Sequence, residues 1–287
     1  VGRLTLLGAG CPPTTGGGGG YQGPLDLQPT GAFVWVGLRA GSAARRGTAV
    51  VRIAKSSDSF ASQADISTDA VTGRLDTSNA FFDGSTTYHV VTLYDQSGNG
   101  HDFTEGVDAI RPALVLGAIG TAADPVIRFN GASMWLEYVD AGGAMPVAQP
   151  YWVSTVIKST TNAHDQGYFA PQNTDASIGF TPSDTAFMYT GVGNVLATSV
   201  TVNVWHAIQN VATGVSDGSS DIYVNSTSHL GNPGTNNLHT GLTIGKDAFS
   251  NFFLGDLVEI GLWQGLTVSS GDKSGMESNQ QAFYAGM

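Results

Sequence analysis

A single cysteine, Cys11, stands in 287 residues, so no disulfide can form within the chain. Charge is scarce too: 12% of residues are Asp, Glu, Lys or Arg, where roughly a quarter is usual. The twelve basic residues are dispersed, with Arg45–Arg46 the one adjacent pair, and the net charge is −11. A phosphate backbone would be repelled, which excludes nucleic acid as a main partner. No apolar run approaches the length of a membrane span. Glutamate is nearly missing, with Glu105, Glu137, Glu259 and Glu277 the only four among 23 acidic residues. The six histidines have no H-x-x-x-H or H-x-H spacing, so no zinc site or other metal is expected. There is no G-x-S-x-G to signal a nucleophilic serine, and Gly16–Gly20 lacks the lysine of a phosphate-binding loop. No cofactor is implied.

What the chain does have is glycine, 39 of them, and 19 aspartates, residue types that favour turns over helices. Residues 1–30 stand apart as a Gly/Pro-rich arm. Five consecutive glycines cannot build a core, and ordering them costs maximal backbone entropy. Contacts from Leu4, Leu6 and Leu7 on one side and Tyr21, Leu25 and Leu27 on the other would have to offset that cost. Those contacts lie on a neighbouring chain or on the chain's own domain; the assembly reading takes the first. The stretch LTLLGAGC faintly resembles a lipoprotein signal, but Gly8 stands where leucine is needed, and the arm reads as mature sequence.

From residue 31 to 287, short alternating segments recur between turn signals, as a β-sandwich requires. They are AVVRIAKSS (49–57), YHVVTLYD (88–95), PVIRF (125–129), YWVSTVIKS (151–159), TAFMYTG (185–191), VWHAIQNVA (204–212), DIYVNS (221–226), GLTIG (241–245) and FFLGDLVEIGLW (252–263). A helix is expected over 271–286, capped by Ser270 or Asp272, and a weaker one over Gly31–Ser42. The box Tyr94, Asp95, Gln96, Ser97, Gly98, Asn99, Gly100 offers oxygens to calcium, yet the same residue types make a self-bonded turn, and the turn is the expected reading. Of five tryptophans, Trp152, Trp205 and Trp263 read as core. Trp135, with Tyr138 near it, is the expected sugar-stacking platform.

Three pieces in order, GLRAGSAARRGTAVVRI (37–53), KSSDSFASQADI (55–66) and VVTLYDQSGNGHDFT (90–104), resemble the opening of the catalytic domain of family 54 arabinofuranosidases and of related concanavalin A-like domains in phage and bacterial surface proteins. The pieces at 202–211, 221–226 and 242–263 are similar to the generic laminin G-like plan. The resemblance implies an all-β, two-sheet antiparallel jelly roll. It also implies a retaining glycosidase with two carboxylates, the nucleophile being a mid-domain glutamate after two adjacent cysteines. This chain has neither feature, and TAFMYTGVGNV (185–195) carries no acid. Asp247 falls where the family's acid would sit, without an obvious partner; Asp165, Asp175 and Asp184 read as turn caps.

The expectation from sequence is a non-enzymatic virion or surface-assembly component, a homo-oligomer anchored to other subunits by its arm and touching a host glycan. The alternative is a secreted, extracellular arabinofuranosidase-like hydrolase. A second carboxylate facing Asp247 separates the two.

Overall fold

β-branched and aromatic runs that are too short for helices, each ended by a glycine or Asx turn, fold here into eighteen strands among the described residues. The computed structural model describes residues 20–84, 87–161, 163–173, 176–191, 193–197 and 200–287.

All strand pairs are antiparallel, and they form two layers. One sheet runs β16 (Thr227–Gly231), β15 (Ser220–Val224), β14 (His206–Ala212), β9 (Tyr151–Ser159), β18 (Leu254–Gln264), β1 (Ala32–Gly37). The other begins β13 (Val195–Ala197), β12 (Thr185–Tyr189), β11 (Ser177–Thr181), β10 (Gln166–Pro171), β17 (Leu242–Ile244). It continues β8 (Leu136–Tyr138), β5 (Phe103–Thr104), β4 (Tyr88–Leu93), β2 (Ala49–Lys55), β3 (Gln63–Ser67). Strands β6 (Ala113–Ile119) and β7 (Asp124–Asn130) bridge the layers, β6 pairing with β4 and β7 with the first half of β18. Between the sheets lie Phe129, Tyr168, Phe169, Phe180 and Phe253, all buried. This is the expected jelly roll.

The outer face of the first sheet departs from simple alternation. YWVSTVIKS reads as one buried and one exposed face, yet β9 is buried at every position but Lys158. The cause is helix α2 (Ser270–Phe283), which lies across this face with Met276 against Trp35, Trp152 and Trp263. Its cap is Ser269, one residue before the expected start: Asp272 N donates to Ser269 Oγ at 3.2 Å and Ser269 N donates to Asp272 Oδ2 at 2.8 Å.

Under α2 sits a sealed polar network. The Arg39 guanidinium pairs with Glu259 at 2.5 and 2.9 Å, both side chains essentially unexposed. Gln280 and Tyr284 donate to the same carboxylate at 2.9 and 3.0 Å. Gln280 also receives Gln209, which in turn receives Trp152 Nε1 at 3.0 Å. Burial is the largest single effect and works against the Arg39 charge, but the Glu259 carboxylate together with Tyr21 and Tyr284 outweighs it and raises the guanidinium above its ordinary value.

Two boundaries move. Gly31–Ser42 is not helical; its first half is β1, because Phe33 to Val36 all find buried partners in the sandwich. Residues 20–30, assigned to the arm from sequence, pack on the chain's own domain through a short helix, α1 (Pro24–Leu27). Tyr21 OH bonds Ala40 O, its ring meets Phe283 edge-on at 5.9 Å, and Leu25 and Leu27 join the tryptophan cluster under α2. Leu4, Leu6, Leu7 and Cys11 lie outside the described residues.

Candidate functional site

The YDQSGNG box is a clasp on β1. Asp95 accepts from Trp35 N, Ser97 N, Ser97 Oγ and His101 N at 2.7–3.1 Å, which occupies both carboxylate oxygens. Gln96 accepts from Gly41 N at 2.7 Å and donates to Arg39 O at 3.0 Å. Asn99 Nδ2 donates to Ala32 O and Phe33 O at 2.8 and 2.9 Å. Gly98 and Gly100 take φ of +97° and +79°, which side chains rarely adopt. The oxygens that calcium would use point at backbone donors, so these residues hold the loop onto the sandwich. Tyr94 OH turns outward to Asp65 at 2.6 Å.

The two aromatic residues expected to stack on sugar are not available for it. Tyr138 is 7% exposed, wedged against His101 and Phe103, with its hydroxyl on Asp140. Trp135 is half-buried; the Lys246 ammonium stands 3.5 Å from its ring centroid and Phe252 flanks it at 5.9 Å. Burial lowers the Lys246 ammonium below its ordinary value. A conjugated face that would have been open in an extended strand is covered by the residue next to Asp247.

On the other side of that loop opens a cavity of about 220 Å³ lined by Asp165, Ser177, Phe187, Tyr189, Asn194, Asp247, Phe249 and Asn251, with Thr181 at its edge. Strand β11 contributes Ser177, β12 contributes Phe187 and Tyr189, and the loop from β17 to β18 contributes the last three. Asp247 is 2% exposed. Its Oδ1 accepts from Phe249 N and Asn251 N, each at 2.9 Å, and its Oδ2 accepts from Asn251 Nδ2 at 3.0 Å and Ser177 Oγ at 3.1 Å. Four donors fill the four lone-pair positions of a carboxylate. The result is a rigid tight loop that presents Phe249, 53% exposed, at the cavity rim. Gly167 makes this possible from behind: a Cβ there would fall 2.4 Å from Asp247 Cβ.

Asp247 therefore does face an aspartate-bearing cavity, and the second carboxylate is Asp165, exposed in the turn before β10. Asp184 sits in the β11–β12 turn at φ +53°, a turn residue as expected, and Asp175 lies outside the described residues. Reading the sequence alone misses Phe249, Ser177, Tyr189, Asn194 and Asn251. The spacing Asp-x-Phe-x-Asn in DAFSN is the one local signal, since an Asp that bonds the backbone two and four residues on makes a protruding loop.

No protein-family model matches the chain, and no curated protein sequence does. Solved structures do. A GH54 α-L-arabinofuranosidase soaked with a cyclic sulfate inhibitor superposes with a TM-score of 0.74 at 16% identity, over 92% of this chain and 66% of that one. An arabinofuranosidase complexed with arabinofuranosyl-α-1,2-xylobiose gives 0.71 at 16% identity, over 92% and 65%. The chain thus spans slightly less than two thirds of the length of these enzymes. At this identity the likeness speaks to fold, and the fold is the concanavalin A-like β-sandwich of the N-terminal domain of GH54 arabinofuranosidases.

Proposed function

We propose that this chain is a carbohydrate-binding β-sandwich that holds one sugar residue in the Asp247 cavity without hydrolysing it. The observation that carries the reading is the division of labour in the cavity. Phe249 offers an open aromatic face, Ser177, Tyr189, Asn194 and Asn251 offer polar groups, and the buried carboxylate is spent on its own loop. Sugar recognition needs an apolar platform and a few convergent polar groups. Glycoside hydrolysis needs in addition two carboxylates free to act on opposite sides of the bond. Asp247 is committed to four donors, and β12 meets the cavity with Phe187 and Tyr189 rather than an acid.

One observation favours the hydrolase alternative: Asp165 is a second carboxylate at the same cavity. The two readings part in a single assay. The purified chain is expected to release no nitrophenol from 4-nitrophenyl α-L-arabinofuranoside while retaining sugars on an affinity column. Turnover that disappears in both Asp247→Asn and Asp165→Asn would overturn the binding reading in favour of hydrolysis. Display of this pocket on a viral particle is expected from the arm, the low charge, the missing glutamate and the resemblance to phage-borne domains, and of these only the arm would supply the anchor. Leu4, Leu6 and Leu7 lie outside the described residues, and Tyr21, Leu25 and Leu27 are used on the chain's own domain. The pocket reading stands apart from that setting.

A further inference from the structure

Four buried carboxylates elsewhere in this molecule are neutralised by a cation, while Glu105 and Glu277, which lie away from this cavity, are held by neutral donors. Asp124 has Arg74, Asp221 has Lys273, Glu259 has Arg39, and Asp256 has both Arg128 and Lys158. Asp247 is as buried as these, yet its four donors are all neutral, and among the described residues no Lys, Arg or His lines its cavity. The nearest basic residue in sequence, Lys246, directs its ammonium away, onto Trp135. Asp165, at the same cavity, has no hydrogen-bond or ion-pair partner among the described residues. The cavity therefore carries two acidic side chains without a counter-charge, next to the exposed ring of Phe249 and to Tyr189.

We infer that the sugar this cavity takes carries a free amino group, as a 2-amino-2-deoxy hexose or an aminopentose does. An ammonium there meets Asp165 as an ion pair and the Phe249 face as a cation–π partner. A uronic or sialic acid is repelled by the same two carboxylates. The cavity, about 220 Å³, has room for one ring and not for a disaccharide buried whole, so the amine belongs to a single sugar unit. The inference rests on the reading of the cavity as a sugar site.

The test is a calorimetric titration of the full chain with glucosamine, galactosamine, mannosamine and an aminoarabinose. Each is compared with its N-acetyl form and its neutral parent, at about 50 mM and about 500 mM salt. At least one free amine should bind about five-fold more tightly than both its N-acetyl form and its parent, the size of a partly exposed ion pair. The preference should shrink at high salt. It should vanish in Asp165→Asn, which still binds the parent sugar, and Phe249→Ala should weaken every ligand. Equal binding of the three forms, or a preference untouched by Asp165→Asn, overturns the inference and leaves the sugar pocket standing. Binding of none of the panel overturns both.

Discussion

Glu259 and Asp247 are two buried carboxylates on successive parts of one chain segment, and they face opposite environments. Glu259 lies beneath α2, where Arg39, Gln280 and Tyr284 converge on it and no solvent reaches it. Asp247 lies at the mouth of the sandwich, bound only by neutral donors, with a cavity beside it. Both acids are fully hydrogen-bonded, so burial alone does not distinguish structure from function. The distinction is what surrounds them: Glu259 meets a cation under a helix and ties elements together, whereas Asp247 is held by neutral donors and keeps an uncompensated charge beside an opening.

Breaking the sealed side should have the largest effect. Arg39→Ala strands the Glu259 carboxylate without its cation, and the loss is expected to be about 3–5 kcal/mol, read as a fall in the urea midpoint. Arg39→Met combined with Glu259→Leu should recover much of that loss, because two apolar side chains carry no charge to desolvate. A network that mattered only through Arg39's packing against Phe283 would show no such recovery.

At the open side the backbone glycine is the sensitive point. Gly167→Ala places a methyl group into Asp247 and should cost about 1–3 kcal/mol, as overpacking does, while abolishing sugar binding. Retained binding in a folded Gly167→Ala protein would show that the Asp247 loop does not shape the site. Phe249→Ala should behave in the opposite way to Arg39→Ala. Its ring is half in solvent, so stability should move by less than about 0.5 kcal/mol while sugar affinity falls about three- to tenfold. Melting temperature and affinity measured on the same sample decide this.

The smallest effect expected is on pH. His206 is buried at the start of β14, with Nε2 accepting from Thr201 N at 3.1 Å and Nδ1 facing Asn225 Oδ1 at 3.4 Å. Burial lowers its folded-state value below the ordinary histidine range. The unfolded chain then binds the proton first, so the contribution is present above about pH 6.5 and is lost as pH falls through the depressed folded value. His206→Gln should flatten the melting temperature between about pH 7 and about pH 5 relative to the native chain. An unchanged slope would place the acid sensitivity elsewhere.

Much of the sandwich was legible in the sequence. Segments such as YHVVTLYD and DIYVNS are too short for helices and rich in β-formers, and turn chemistry marked their ends. The turn chemistry of the YDQSGNG box was legible for the same reason, since Asp95 and Ser97 bond within their own loop, but the grip of Asp95 and Asn99 on β1, 60 to 67 positions away, was not. Nor were the stacking residues. Trp135 looked open because nothing within a few positions of it covers it; Lys246, more than a hundred residues away, does.

What the sequence determined by itself were the local choices: strands, turns, the capped helix near the end, the shortage of glutamate and the absence of any basic cluster. Each depends on a residue and its near neighbours, over the range in which backbone sterics and Asx hydrogen bonds act. Tertiary structure alone decided that α2 covers the outer face of β9, whose inner face the sandwich buries, and that Arg39 meets Glu259 across 220 positions. It also decided that Asp165, Ser177, Tyr189 and Phe249 share one cavity. Those outcomes depend on which sheet each strand joins, and pairing between distant strands is set by the burial of the whole core rather than by any short stretch of it.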